Sequence, residues 1–317
     1  MKERQSLATH KRFALSGWER YVITAADGRY MLIVEVSCTG HKETVMIAFA
    51  DMKKNDVAHA MGFRRRFRHS TILSHVSTED GYITWANPVL RAAFVVRGNK
   101  RHLLFACPSL KLPDGRVGLD VNIILLQGIY EKQNKDMSLR KASSNQRSCW
   151  MGTITGMPVS GTLRLGEDME AFSPDSAWAA LDWCRKKGRV RLKKSPVLNA
   201  TGIHDGAACS ISLAMTSRSG SGERHSFISY EGKTYNLSGI IWEAHEYDGL
   251  LNAEIHDDAG MLNIRFIPAF SNQTEPSRLF GRVSGRFCPS IGKEIWIESF
   301  SGFIEERRIT GATTCID

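Results

Sequence analysis

The chain has 317 residues, 42% hydrophobic and 24% charged, a balance that allows one large or two ordinary cores and excludes an intrinsically disordered polypeptide. No stretch approaches the roughly eighteen consecutive apolar residues of a membrane-spanning helix, and the charged start MKERQSLATHKRFALSG lacks the apolar run of a secretory leader, so a cytoplasmic protein is expected. A formal net charge of +9 attracts nucleic acid, anionic lipid and acidic small molecules alike and selects none of them.

In chain order, most of the sequence is written in period two. RYMLIVEVSC (Arg29 to Cys38) and ETVMIAFA (Glu43 to Ala50) are rich in β-branched and aromatic residues and are separated by a short polar turn. Similar runs recur at Tyr82 to Trp85, Val89 to Arg97, His102 to Ala106 and Val117 to Leu126, punctuated by EDG, RGNK and PDG. Residues Tyr130 to Arg147 are polar without an apolar period and read as an exposed loop or short helix. Strand signals return at Trp150 to Thr155 and Val159 to Leu165.

The pattern then changes. Ser173-Pro174-Asp175-Ser176 has the composition of a helix start, with a serine cap, proline at the first position and an acid near the positive end of the dipole. AWAALDWCRKK follows and Gly188 supplies a stop, so one prominent helix is expected here. RVRLKK after it alternates as a strand with a wet face. The remainder, from Ala207 to Ile309, is a second run of short strands, including the hairpin YEGKTYNL with Glu231-Gly232 at its turn. The expected architecture is mainly β, with two antiparallel barrels or sandwiches, residues 1–168 and 169–317, joined near the helix.

Two basic runs stand out. LDWCRKKGRVRLKK (Leu181 to Lys194) and FRRRFRH (Phe63 to His69) offer charge, and in the second case aromatic residues able to stack on bases. No helix-turn-helix, zinc-finger or RNP pattern accompanies them, and a solvated face is the commoner use of such runs. Seven scattered cysteines without a C-x-x-C pair argue against a disulfide framework and a zinc cluster. No G-x-S-x-G, P-loop or dinucleotide fingerprint occurs, which disfavours those enzyme classes and leaves no cofactor expected.

FSPDSAWAALDWCR (Phe172 to Arg185), ATGIHDGAACSISLAM (Ala200 to Met215), FISYEGKTYNLSGIIWE (Phe227 to Glu243), MLNIRFIP, FGRVSGRF and GFIEE resemble, in that order, the bacterial family called domain of unknown function 2804. KRFALSGWERYVITAADGRYMLIVEVS (Lys11 to Ser37) is similar to its first strands. That family is distantly similar to the lipocalin-like double-barrel proteins, which include carotenoid hydratases and natural-product cyclases. The resemblance implies paired lipocalin-like β-barrels or sandwiches with an apolar cavity in or between them. The family's Asp-Trp-Gly-Arg-Gly segment stands here as Asp182-Trp183-Cys184-Arg185 followed by two lysines, and its Thr-Glu-Asn segment as Gly222-Glu223-Arg224-His225.

Several polar residues suit proton transfer. Asp182 and Arg185 would share a helix face at i+3 spacing, placing a carboxylate beside a guanidinium. Glu223 and His225, like Glu243 and His245, are two apart on strands and so share a face. His204, in a turn beside Asp205, is a candidate general base or ligand contact. Trp178, Trp183 and Trp242 are candidates for an apolar pocket wall. The histidines and carboxylates lack zinc spacings, so no metal is expected. The leading expectation is a cofactor-independent enzyme on a hydrophobic small molecule of lipid, isoprenoid or polyketide type, catalysing hydration, isomerisation or cyclisation. The catalytic set would be Asp182, Arg185, Glu223, His225 and Glu243. A non-catalytic carrier is the alternative, and an anion or nucleic-acid binder using Arg64 to Arg68 and Arg185 to Lys194 is the weaker one.

Overall fold

The computed structural model describes residues 16–39, 42–65, 80–128, 140–141, 148–187, 196–214, 226–247, 250–269, 278–290 and 292–306. These form two antiparallel sheets, each curled on itself as a half-barrel.

The first sheet takes β1 (Ser16–Ala25), β2 (Tyr30–Thr39), β3 (Lys42–Asp51), β4 (Asp56–Arg65), β5 (Gly81–Ala86), β6 (Arg91–Arg97), β7 (Lys100–Lys111), β8 (Val117–Leu126), β9 (Arg140–Lys141), β10 (Ser148–Leu165), β11 (Asp168–Phe172) and β12 (Ala177–Lys187). Its main path runs β4-β3-β2-β1-β12-β10-β8-β7-β6-β5. The two edge strands meet side chain to backbone: a Cβ on Gly62 of β4 would collide with the Trp85 ring of β5, so glycine is what lets the curl close.

The second sheet takes β13 (Pro196–His204), β14 (Ala207–Ala214), β15 (Ser226–Tyr230), β16 (Lys233–Leu237), β17 (Ile241–Tyr247), β18 (Leu250–His256), β19 (Leu262–Pro268), β20 (Arg278–Ser290) and β21 (Lys293–Glu306). Their order is β16-β15-β14-β13-β21-β20-β19-β18-β17. By sheet membership, the division between the two halves falls between Lys187 and Pro196, whereas the sequence suggests residue 168.

Each curl encloses its own apolar core. One gathers Tyr21, Phe94, Leu103, Phe105 and Leu181, the other Leu198, Ile211, Ile264, Phe266 and Phe287. A third cluster, Val22, Met31, Ile33 and Ala48 against Phe280 and Phe303, glues the sheets back to back. Burying a Phe-sized side chain contributes about 1.5–3 kcal/mol, so this seam fixes one barrel on the other.

The expected helix is absent. SPDS does form a tight turn, with Ser176 N–H donating to Ser173 O at 2.9 Å and Ser173 N–H to Ser176 Oγ at 2.8 Å, but the chain leaves it as β12, between β1 and β10. The cause is burial on both faces: Ala179, Leu181 and Trp183 face the first core and Asp182 the seam. A strand buried on both sides loses the alternation that announces a strand, and its apolar run passes for a helix. The expected strand Arg189 to Lys193 lies outside the described residues, as does most of Tyr130 to Arg147. The hairpin turn is as expected, with Glu231 and Gly232 both at positive φ (48° and 71°).

Candidate active site in the first barrel

Adjacent residues of a strand project to opposite faces, so the neighbours Glu19 and Arg20 of β1 serve two different places. Glu19 shares its face with Tyr21 and Ile23, inside the first barrel. Arg20 shares its face with Val22, on the seam. Both are buried.

Inside the barrel, Glu19 Oε1 accepts a hydrogen bond from Arg185 Nη2 of β12. Arg185 Nη1 also donates to the backbone oxygens of Trp18 and Cys184 at 3.0 and 3.1 Å, and its guanidinium lies 5.9 Å from the Trp183 ring centroid. The Tyr21 hydroxyl donates to Glu19 Oε2 at 3.2 Å. Burial, and then the Glu19 charge, push the Tyr21 phenol far above its usual range, while nearby Arg101 pulls it down by less. Tyr21 therefore stays a proton donor at neutral pH.

Arg101, the second residue of β7, is fully buried. Its Nη2 donates to Gln127 Oε1 at 3.1 Å, but Nε and Nη1 reach no acceptor among the described residues. Phe94 stacks on Tyr21 with ring centroids 5.8 Å apart, and Phe105 meets Phe94 edge-on at 5.2 Å. The set is an acid, a phenol and two guanidiniums among aromatics.

Across the wall, Arg20 joins the barrels. Its Nη2 donates to Asp182 Oδ2 at 2.6 Å and its Nη1 to Glu305 Oε2 of β21. Asp182 Oδ1 also accepts from Thr153 Oγ1 at 2.6 Å. Arg278 of β20 donates from Nη2 to Glu305 Oε1 at 2.6 Å and to Glu35 Oε2 at 3.0 Å. Burial works against the Arg20 charge, and Glu305, Asp182 and Glu35 more than offset it, so its pKa is raised.

The sequence-derived candidates divide accordingly. Asp182 and Arg185 do not pair with each other as a helix would have them: on a strand, residues three apart lie on opposite faces, so Asp182 answers Arg20 on the seam and Arg185 answers Glu19 in the barrel. Trp183 is in the first core, while Trp178 lies across from Thr24 on the other face. Trp242 packs on the second core and His204 stands 3.4 Å from Asp205 at the β13–β14 turn, both remote in sequence and sheet from the first barrel. Glu243 is exposed and projects away from the second core, so it does not enter a barrel. Glu223 and His225 lie outside the described residues, as do Arg66 to His69 and Gly188 to Lys194. Of the basic run, Arg64 is taken up by an ion pair to buried Glu43 at 2.7 Å.

Glu19, Arg20, Tyr21 and Arg101 escape the sequence reading. The available signal is WERY: opposite charges side by side in an otherwise apolar strand must enter two different buried environments once both faces are covered.

The same double-barrel fold is found in solved structures. Over 96% of this chain and 96% of the other, it is similar to a Nitrosomonas europaea protein assigned as AttH, at 12% identity and a TM-score of 0.57. Kievitone hydratase from Nectria haematococca matches over 92% of this chain and 88% of its own at 11% identity and a TM-score of 0.50. CghA bound to Sch210972 matches over 93% and 88% at 10% identity and 0.54. At such identities the likeness is one of fold. No curated protein matches the sequence. Among described residues no helix is long and apolar enough to cross a membrane, a statement that does not extend to β-barrels. Residues 2–310 match the family described as domain of unknown function DUF2804, and with nearly the whole length accounted for, the chain belongs to that family.

Proposed function

We infer that the chain is a cofactor-independent enzyme acting on a hydrophobic small molecule of lipid, isoprenoid or polyketide type, by hydration, isomerisation or cyclisation at the polar cluster of the first barrel. The observation that carries this reading is Arg101, fully buried beside a protonated Tyr21, with no acceptor for Nε and Nη1 among the described residues. Leaving buried donors unpaired is unfavourable by about 1–3 kcal/mol each, and an oxygen of a bound substrate would satisfy them. The hydratase among the fold neighbours supports the same class.

The chemistry follows from the partners. In a hydration, the Tyr21 proton goes to one alkene carbon, water adds to the other, and the proton released by that water returns to Tyr21 through Glu19. Arg101 stabilises the tyrosinate formed in between, a charge-on-charge effect enlarged by the dry surroundings. Arg185 acts through Glu19 and is a positioning residue, and Asp182 with Arg20 keeps β1 and β12 in register.

Native mass spectrometry of the purified chain, with extraction of any small molecule, tests this first. A co-purifying lipid or isoprenoid is expected, and Tyr21→Phe should retain it while turnover falls by about 10²–10⁴-fold. A protein that carries nothing, or a Tyr21→Phe variant with full turnover, overturns the assignment; a ligand bound but never altered identifies a carrier.

A further inference from the structure

The outer face of the second sheet's edge hairpin gathers a different chemistry. On β17, Trp242 turns toward the second core, so Glu243 and His245 project from the other side. Glu254 of β18 lies directly across from Glu243, and Asn252 directly across from His245. One ligand atom from each of Glu243, His245 and Glu254 lies within 4.8 Å of the others, and all three residues are exposed.

Two features of this arrangement ask for a cation. Carboxylates placed opposite each other on paired strands repel, and no ion pair neutralises either one among the described residues; Arg265, in register with Glu254 on β19, makes none with it. Asn252, on the same face, is buried with 5% exposure, and its Oδ1 finds no hydrogen-bond partner among the described residues. An acceptor in that condition is unfavourable unless something positive meets it.

We propose that Glu243, His245 and Glu254 form a surface site for a divalent transition-metal ion of the Zn²⁺ or Mn²⁺ type, with Asn252 Oδ1 as a further oxygen ligand. Two hard carboxylates with a borderline imidazole suit these ions: the imidazole disfavours Ca²⁺, and the carboxylates disfavour Cu⁺, which prefers soft thiolate or thioether donors. Because the residues are exposed, water completes the shell and the ion exchanges with solvent. Its consequence is structural: ligands from both strands clip β17, the last strand of the sheet, to β18, so that the edge hairpin resists fraying. The site is independent of the cluster in the first barrel.

The test uses the full chain without a histidine tag, stripped with chelator. Calorimetric titration with Zn²⁺ and visible absorption with Co²⁺ should show one saturable equivalent. Glu254→Gln and His245→Ala should each lose it, while His59→Ala, an exposed histidine on β4, should keep it. Circular dichroism confirms that these surface variants fold. The proposal is overturned by absence of saturable binding, by binding that persists in both variants, or by equal loss in His59→Ala.

Discussion

Inside the first barrel Glu19, Tyr21, Arg101 and Arg185 stand among aromatic side chains, whereas the second barrel is filled by residues such as Ile211, Ile264, Phe266 and Phe287. The buried charges of the second sheet that are described, Asp257, Arg278 and Glu305, sit at a turn or on the seam instead. The difference has a physical reading. A charge inside a barrel persists only where partners offset its desolvation, and the first barrel offsets Arg185 fully and Arg101 incompletely. On the proposed function the first barrel is the one that meets a polar group of the substrate, while the second contributes Glu305 and Arg278 to the seam.

The comparison breaks most visibly at the seam, where the barrels share charges. Arg20→Ala would leave Asp182 buried without the guanidinium and deprive Glu305 of an arginine partner. Removing one partner of a buried ion pair destabilises by about 3–5 kcal/mol. Urea unfolding monitored by tryptophan fluorescence should record a loss of that size; a loss below about 1 kcal/mol would mean that the network is solvated and that the seam is held by the apolar cluster around Val22, Phe280 and Phe303.

A smaller effect separates the interiors. Arg101→Met removes a buried cation with unmet donors and keeps a long apolar stem, so stability should change by less than about 1.5 kcal/mol and can rise. Ligand retention should nevertheless be lost. Phe266→Ala in the second core is the converse: about 3–5 kcal/mol of stability lost, with ligand retention unchanged under conditions where the variant is folded. Equal effects of the two substitutions on ligand binding would erase the distinction between the barrels.

The same distinction explains what the sequence discloses. Strands with one wet face announce themselves: β19 alternates buried and exposed from Leu262 to Pro268, and its run was legible. β12 was not, because both of its faces are covered, and its alanines and leucine then satisfy a helical pattern equally well. The candidate site suffers from the same ambiguity. Asp182 and Arg185 are singled out by a spacing that would pair them on a helix, and their relation inverts once period two replaces period 3.6: a predicted pair becomes two residues on opposite sides of a wall. Arg101 gives no local sign, since its environment is made by Tyr21 and Gln127, distant in sequence.

The least of the expected effects is a pH dependence in the second barrel. Burial alone pushes the Cys209 thiol from its ordinary value near 9.0 up to about 12. Below pH 9 the thiol is protonated in both the folded and the unfolded chain, so the contribution is complete there. As pH rises from 9 toward 12 the unfolded chain gives up that proton and the folded one retains it, so stability must fall. The slope is at most about 1.4 kcal/mol per pH unit. Tyr21 adds its own loss only above its ordinary value of 10, so urea midpoints at pH 8, 9 and 10, compared with those of Cys209→Ala, isolate the second barrel. The wild-type advantage over Cys209→Ala should shrink with rising pH; an advantage that grows would mean that the fold holds a thiolate, which an interior with no cation among its described residues has no means to stabilise.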